Sequence, residues 1–227
     1  MQPNITRSRP APSPAPGAPP RNTVILGDCV KVMASLPTES VDFILTDPPY
    51  VVRYTSRSGQ RLLGDDTADW IAPAFSAMHR VLKDNALCLS FYGWHHPDAF
   101  MTAWRKAGFT IVGHLVFPKA YTSSSRFLQH SHEQACLLAK GRPPLPRRPL
   151  SDVASWAYTG NRRHPTEKAV ETLKPFVETF CPAGGLILDP FCGSGSTLRA
   201  AQLAGRDYLG IEMDPQHRET AYRRMLV

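Results

Sequence analysis

Short apolar runs alternate with amphipathic stretches from Thr23 to the end of the chain. The run 41–46 (VDFILT) has the continuous apolar character of a buried strand, whereas apolar residues at helical spacing in 70–82 predict a helix. Strands that alternate with helices in this way are typical of a mainly parallel sheet with crossover helices. We therefore expect an α/β fold.

The same patterning gives expected bounds for each element. Strands are predicted at 23–26, 41–46, 86–91, 110–117, 133–139, 186–189 and 208–212. Helices are predicted at 30–35, 70–82, 97–107, 167–180, 197–204 and 216–225. One α/β domain over residues 23–227 accounts for all of these elements.

The first 22 residues differ in composition from the rest of the chain. They contain seven prolines and three arginines, and proline at this density disfavours both helices and sheet pairing. We interpret residues 1–22 as a disordered, mildly basic, proline-rich arm.

Charge and cysteine usage narrow the class of protein. The formal net charge of +7 slightly favours a polyanionic partner. The five cysteines form no C-x-x-C pair, so we expect reduced thiols in a cytoplasmic protein. The chain contains no run of 18 apolar residues, so we expect no membrane-spanning helix. His130, His132 and Glu133 are interpreted as a polar strand edge, and no metal site is expected.

Two stretches interrupt the alternation and are rich in arginine. The first is 51–69, and the second is the proline-containing stretch 141–163. Both are predicted to be basic loops that bind nucleic-acid phosphates. The arginines proposed for these contacts are Arg53, Arg57, Arg61, Arg142, Arg147, Arg148, Arg162 and Arg163.

A glycine-rich turn, DPFCGSGST (189–197), follows the predicted strand 186–189. Gly193 and Gly195 allow the backbone to approach a ligand closely, and the next helix presents free N–H groups. The turn lacks the Gly-Lys-Ser/Thr of a phosphate loop and the third glycine of a dinucleotide motif. Glu212 ends the next strand and is suited to binding ribose hydroxyls. The combination indicates a nucleoside cofactor.

The tetrapeptide Asp47-Pro48-Pro49-Tyr50 follows the buried strand 41–46. The prolines rigidify the backbone and remove two N–H donors, while their carbonyls and the Asp47 carboxylate remain acceptors. An acceptor-rich pocket of this kind matches an amino group, which is a double donor. Tyr50 adds an aromatic ring on which a base can stack.

Together, DPPY and DPFCGSGST closely resemble the motifs of DNA amino-methyltransferases. Their order resembles the permuted β class, in which the DPPY half precedes the cofactor half, and the resemblance covers roughly residues 23–225. It implies a Rossmann-like methyltransferase fold with a mostly parallel seven-stranded sheet, one antiparallel strand and helices on both faces. It also implies S-adenosylmethionine as cofactor and S-adenosylhomocysteine as product, with no metal.

The resemblance assigns roles residue by residue. Asp28 is similar to the acidic contact to the cofactor adenine, and the segment 164–168 (HPTEK) is similar to the one that borders the methionine moiety. The catalytic residues implied are Asp47, Pro48, Pro49 and Tyr50. The cofactor-binding residues implied are Asp28, Cys29, Asp47, Pro165, Thr166, Lys168, Asp189, Pro190, Phe191, Gly193, Ser194, Gly195, Ser196, Thr197, Glu212 and Met213.

This assignment divides the domain into three parts. Residues 23–140 form the target-base half, 141–163 a short basic target-recognition segment, and 164–227 the cofactor-binding half. The middle segment is short for a recognition domain. Two hypotheses follow: the enzyme reads few base pairs and is promiscuous, or it borrows recognition surface from a second copy of itself.

The resemblance predicts methylation of adenine N6 in double-stranded DNA by base flipping and direct transfer. Cytosine N4 methylation requires the same amino-group geometry and remains an alternative, although Asp47 favours adenine because serine commonly begins this motif in N4 enzymes. RNA base methylation and a catalytically silent DNA-binding regulator are further alternatives. The expected setting is the cytoplasm of a bacterium or phage host, in association with the nucleoid.

Overall fold

The computed structural model of the protein describes residues 17–52, 63–125, 127–157 and 167–226. The strands are β1 (Thr23–Leu26), β2 (Val41–Thr46), β3 (Leu82–Phe91), β4 (Thr110–Pro118), β5 (Ser124–Ser125), β6 (Gln129–His130), β7 (His132–Lys140), β8 (Leu186–Asp189) and β9 (Asp207–Glu212). The helices are α1 (Cys29–Ala34), α2 (Ile71–Val81), α3 (Pro97–Ala107), α4 (Val170–Phe180), α5 (Ser196–Leu203) and α6 (Pro215–Met225).

Seven of the strands form one sheet in the order β1-β9-β8-β2-β3-β7-β4. Strand β7 runs antiparallel to both of its neighbours, and the other pairs are parallel. This confirms the predicted mostly parallel sheet with one antiparallel strand. Strands β5 and β6, which the apolar pattern did not predict, form a separate short hairpin between β4 and β7.

The side chains of β2 alternate between two cores, one on each face of the sheet. Phe43 and Leu45 pack in a cluster with residues of α4, α5 and α6, whereas Ile44 packs in a cluster with residues of α1, α2 and α3. This is the period of two that an extended strand imposes. Because both faces of β2 are buried, its sequence is a continuous apolar run.

Two elements begin three or four residues from the start that the pattern predicts, whereas the other starts agree to within one residue. Strand β3 begins at Leu82, directly after α2, instead of at 86. Helix α4 begins at Val170 instead of at 167, because Ala169 is extended. The charges of Glu167 and Lys168 are held by ion pairs with other parts of the molecule, which keeps this segment out of the helix.

Residues 152–154, within the predicted recognition segment, pair with the edge of the sheet. The Val116 N–H donates to the Asp152 carbonyl at 2.8 Å, and the Ala154 N–H donates to the Val116 carbonyl at 3.0 Å. These bonds satisfy backbone groups of the edge strand β4 that would otherwise lack partners. The predicted recognition segment therefore covers part of a sheet edge through residues 152–154.

The described end of the proline-rich arm is tied to the sheet. Arg21 and Asn22, which the composition assigns to the arm, both donate side-chain hydrogen bonds to the Asp207 carboxylate, at 2.6 and 2.7 Å. The rest of the predicted disordered arm, residues 1–16, lies outside the described residues. All five cysteines are buried and free of disulfides. Across the described parts of the chain, no helix combines the length and apolar character needed to cross a membrane.

Candidate active site

The two strand ends that carry the motifs are neighbours in the sheet. Strands β2 and β8 pair in parallel, with Phe43 opposite Ile187 and Ile44 opposite Leu188. The turns after Asp47 and Asp189 therefore emerge side by side at the carboxyl edge. One pocket between them is lined by Leu45, Thr46, Asp47, Phe91, Glu167, Lys168, Leu173, Asp189, Phe191, Cys192, Gly193, Ser194, Ser196 and Thr197. We call it the motif pocket.

Each oxygen of the Asp47 carboxylate accepts a hydrogen bond. The Tyr50 hydroxyl donates to Oδ1 at 2.7 Å, and the Lys168 ammonium donates to Oδ2 at 2.5 Å. The Asp47 side chain is 20% exposed and the Lys168 side chain 8% exposed. A carboxylate has roughly four acceptor positions, so Asp47 retains capacity for further donors from the motif pocket.

Burial and the neighbouring positive charge shift the pKa of Asp47 in opposite directions. Burial raises the pKa of the carboxyl, while the charge and hydrogen bond of Lys168 and the hydrogen bond of Tyr50 oppose the rise. Burial also raises the pKa of Tyr50 well above its ordinary value, with the Asp47 charge adding to the effect. The tyrosine therefore stays protonated and acts as a donor to Asp47.

The local backbone fixes the direction of Tyr50. Val51, the next residue, has a φ of 59°, which is strained for a β-branched side chain. Tyr50 packs directly on Gly93 at the end of β3, where an added Cβ would lie 2.7 Å from the Tyr50 Cβ. Only glycine permits this approach, so Gly93 is part of what positions the Tyr50 ring.

The structure places Lys168 beside the predicted catalytic residue. Its ammonium lies 5.0 Å from the ring centroid of Phe91, 5.6 Å from that of Trp156 and 5.7 Å from that of Tyr50. Aromatic faces stabilise a desolvated cation at such distances. The resemblance predicted cofactor binding for Lys168, and in the structure its charge is directed to Asp47.

The residue before Lys168 is held by a second buried ion pair. Arg224 of α6 approaches the Glu167 carboxylate at 3.0 Å and also donates to the Ser196 hydroxyl at 3.1 Å. The segment that leads into α4 is therefore connected on one side to the DPPY turn and on the other to α5 and α6.

The glycine turn is joined to Glu212 by hydrogen bonds. The Gly193 N–H donates to one Glu212 carboxylate oxygen at 2.8 Å, and the Asp214 N–H donates to the other at 2.8 Å. Gly195 has a φ of +81°, which favours glycine, and lies against Ala221 of α6. Burial raises the pKa of Glu212, and these backbone N–H groups oppose the rise. The acid predicted to bind ribose hydroxyls thus lies against the glycine turn.

Asp189 and Cys192 have internal partners. The Asp189 carboxylate accepts from the Thr46 hydroxyl at 3.0 Å and from the Phe191 N–H at 3.1 Å. Burial raises the pKa of Asp189 to about 7. Burial also raises the pKa of the Cys192 thiol well above its ordinary value, so the thiol is unsuited to nucleophilic chemistry.

The other predicted cofactor residues at the end of β1 lie next to Glu212. The Gly27 N–H donates to the Glu212 carbonyl at 2.9 Å. One Asp28 oxygen accepts from the Lys31 N–H at 3.0 Å and caps α1. Cys29 is buried, with its pKa raised to about 12 first by burial and then by the Asp28 charge. Met213 is partly exposed beside them.

Several predicted site residues cannot be placed in this arrangement. Pro165, Thr166, Arg53, Arg57, Arg61, Arg162 and Arg163 lie outside the described residues. Arg147 and Arg148 are exposed, and their proposed contact with DNA stays a prediction. The Arg142 N–H donates to the Asn85 side chain near the start of β3, at the edge of the sheet opposite the motif pocket.

Sequence reasoning did not find the charged groups that surround the Asp47–Lys168 pair. Lys119 donates to Glu133 at 2.7 Å, and both side chains are largely buried. Burial acts to raise the pKa of Glu133, but the charges of Lys168 and Lys119 outweigh it, so that pKa lies below its usual value. No local spacing connects these residues, because they come together only through strand pairing.

Comparison with known proteins gives a family and a relative. A family model described as DNA methylase matches residues 41–223. A protein named putative methylase YubD, from Escherichia coli strain K12, is 53% identical over 201 residues, with 88% of each chain covered.

Two solved structures have the same fold. The M1.HpyAVI–SAM complex matches with a TM-score of 0.72 and 17% identity, covering 90% of this chain and 99% of that one. The PvuII DNA methyltransferase, described as cytosine-N4-specific, matches with a TM-score of 0.74 and 14% identity, covering 92% of this chain and 88% of that one. At these identities the similarity establishes the shared fold alone.

Proposed function

Because the chain belongs to the N6/N4 DNA methylase family, we propose that it transfers a methyl group from S-adenosylmethionine to N6 of adenine in double-stranded DNA. One observation carries the proposal. The acceptor group Asp47 and the glycine turn after β8 line the same pocket, so that a base amino group and a nucleoside cofactor would meet there.

Asp47 prepares the amino group for attack. An exocyclic amino nitrogen is a poor nucleophile because its lone pair is delocalised into the ring. Hydrogen bonds from its two N–H groups to Asp47 and to the Pro48 carbonyl would shift it towards sp³ geometry and direct the lone pair outward. Transfer would be direct: the nitrogen would bond to the methyl carbon as its bond to sulfur breaks, S-adenosylhomocysteine would leave, and the nitrogen would release one proton. Positioning would supply most of the rate enhancement, up to roughly 7–11 kcal/mol.

The glycine turn and the strand ends beside it fit a nucleoside cofactor. Glu212 presents a carboxylate to ribose hydroxyls, Asp28 lies at the neighbouring strand end, and Gly193 leaves space for close approach. When bound, S-adenosylmethionine supplies an electrophilic methyl group on its sulfonium. Proteins of similar fold include one solved as a SAM complex.

The target amino group lies inside the duplex, so the base must be extruded into the motif pocket. Tyr50 provides a ring on which the extruded base can stack, and its hydroxyl simultaneously holds Asp47. Stacking of this kind contributes about 1–3 kcal/mol per base and offsets part of the cost of extrusion.

Adenine is proposed over cytosine because Asp47 begins the DPPY motif, which resembles the adenine enzymes. A structural neighbour described as cytosine-N4-specific makes cytosine the second candidate. The test is chromatographic identification of the modified nucleoside in DNA from cells that express the protein in an unmethylated host. N6-methyladenine supports the proposal, whereas N4-methylcytosine replaces it. The absence of any methylated base, with the protein folded, contradicts both.

The same cellular DNA can also be used to determine the recognition sequence. Within the predicted recognition segment, residues 152–154 pair with a sheet edge, which supports an enzyme that reads few base pairs. Sequencing that detects modified bases tests this. Methylation in many unrelated contexts supports promiscuity, whereas a single palindromic motif supports recognition by a pair of subunits.

Tyr50 is expected to contribute through both its ring and its hydroxyl. Tyr50→Phe removes the hydrogen bond to Asp47 and should lower the methyl-transfer rate about tenfold, the scale of a hydrogen bond to a charged group. Tyr50→Ala also removes the stacking surface and should lower the rate at least about 50-fold. Single-turnover rates on duplex DNA distinguish the two. Equal losses in both variants would assign the whole role to the hydroxyl.

A further inference from the structure

A hairpin projects from the sheet on the same side as the motif pocket. Strand β4 is parallel to the strands that carry the site, and β7 is antiparallel to them, so the connection 119–131 leaves the carboxyl edge. Its tip carries Phe127, which is fully exposed, and Leu128, which is nearly so. Two adjacent large apolar side chains with this exposure have a substantial cost in water.

Backbone hydrogen bonds hold the stem of the hairpin. The Lys119 N–H donates to the Ser131 carbonyl at 2.7 Å, and the Ser123 N–H donates to the His130 carbonyl at 2.9 Å. Strands β5 and β6 continue the pairing, with Ser125 opposite Gln129. The Lys119–Glu133 ion pair lies at the base of the stem. The tip is therefore presented on a paired ladder that begins at the sheet.

A continuous series of contacts connects the hairpin to the DPPY turn. Tyr50 packs on Gly93, and the next residue, Trp94, is exposed and has its ring centroid 6.5 Å from that of His130. His130 is only two residues from Leu128. The stem of the hairpin therefore lies next to the residue that follows Gly93, on which Tyr50 packs.

The composition of the hairpin suits a polyanion. The stretch 120–132 contains no aspartate or glutamate, and its polar residues are hydroxyl-bearing side chains, an amide, histidines and Arg126. Hydroxyls, amides and basic groups are the usual partners of phosphate oxygens. An acid-free, polar stem with an apolar tip is typical of elements that insert between base pairs.

We infer that Phe127 and Leu128 insert into the DNA duplex next to the target base and occupy the space that the extruded base leaves. This inference rests on the proposed function. Extrusion breaks the stacking and pairing of the target, and an apolar side chain in the gap opposes its return. The hairpin then supplies a DNA-contacting surface in addition to the short segment 141–163.

The double variant Phe127→Ser/Leu128→Ser separates duplex opening from chemistry. Single-turnover methylation is measured on a duplex that contains a site methylated by the wild type, and on the same strand with an abasic position opposite the target. We expect the methylation rate of the variant to fall at least tenfold on the paired duplex. On the second substrate, in which the target is already unpaired, the rate should fall less than about threefold. Leu203→Ser, an exposed leucine at the end of α5 near the opposite edge, is the matched control.

The outcomes distinguish the inference from the proposed function. If the wild type methylates neither substrate, the proposed function fails. Alternatively, the wild type methylates both substrates while the double variant loses the same fraction of its rate on both, or loses rate on neither. Either result shows that Phe127 and Leu128 do not insert into the duplex. Sedimentation of the free proteins completes the test: a wild-type dimer that becomes monomeric in the double variant shows that the tip covers a second copy, and this also overturns the inference.

Discussion

Replacing Asp47 with alanine is expected to lower the single-turnover rate of methyl transfer by about 10²–10³-fold while leaving DNA binding largely intact. The carboxylate is the acceptor that faces the motif pocket, and each of its oxygens is held by a donor, Tyr50 or Lys168. Loss of a preorganised group that acts on the reacting atoms has this magnitude, because no mobile water reproduces its fixed position.

Two controls separate catalysis from folding in this experiment. Asp47→Asn keeps the shape of the side chain but replaces one acceptor by a donor, so it should be as inactive as Asp47→Ala. Asp84→Ala removes an exposed acid that pairs with Lys140 at the opposite edge of the sheet and should retain full activity. Near-normal transfer by Asp47→Ala, with unchanged DNA affinity and thermal stability, would remove Asp47 from the mechanism.

Lys168→Met is expected to change the pH dependence of the rate as well as its size. Burial raises the pKa of Asp47, and the Lys168 charge is the largest opposing effect. Without that charge, the carboxyl pKa rises further. In the proposed mechanism the ionised form is the acceptor, so the acid limb of the rate profile should move to higher pH. We expect the methyl-transfer rate of Lys168→Met to be about 100-fold below that of the wild type at pH 6. At pH 9 the difference should shrink to less than about tenfold.

The measurement is a set of single-turnover rates across that pH range. Lys168→Arg retains the charge and should restore much of the activity near neutrality, whereas Lys168→Met retains only the apolar stem. Lys174→Met, on the exposed side of α4 and paired with Glu178, is the matched control and should leave the profile unchanged. A uniform loss at every pH in Lys168→Met would show that the lysine acts only through packing or cofactor binding.

Both expectations depend on contacts between distant parts of the chain. Lys168 and Asp47 are 121 positions apart in sequence, and Thr46 and Asp189 are 143 apart. The ion pair of Lys168 with Asp47 also connects the two halves of the domain that carry the base motif and the cofactor motif. Substitutions at Lys168 therefore test the contact between the two halves of the domain as well as the role of the Asp47 carboxylate.

Local pattern was sufficient to predict most elements. The apolar run 41–46 and the helix 97–107 have in the structure the bounds that the sequence predicts, and Gly108 ends that helix with a φ of +102°. The DPPY and glycine turns were placed correctly after their strands. These features depend on neighbours in sequence, such as side-chain period, proline and glycine geometry, and they carry over from sequence to structure without knowledge of the partner elements.

Only the tertiary structure decided which elements meet. The sheet order put β2 between β8 and β3, and thereby brought Asp47, Phe91 and the glycine turn into one pocket. It also directed Lys168 to Asp47, kept 167–169 out of helix α4, and brought His130 of the hairpin close to Trp94. Periodicity specifies that a face must be buried but not against what. Long-range pairing and the desolvation of charges, which the folded packing sets, determined the rest.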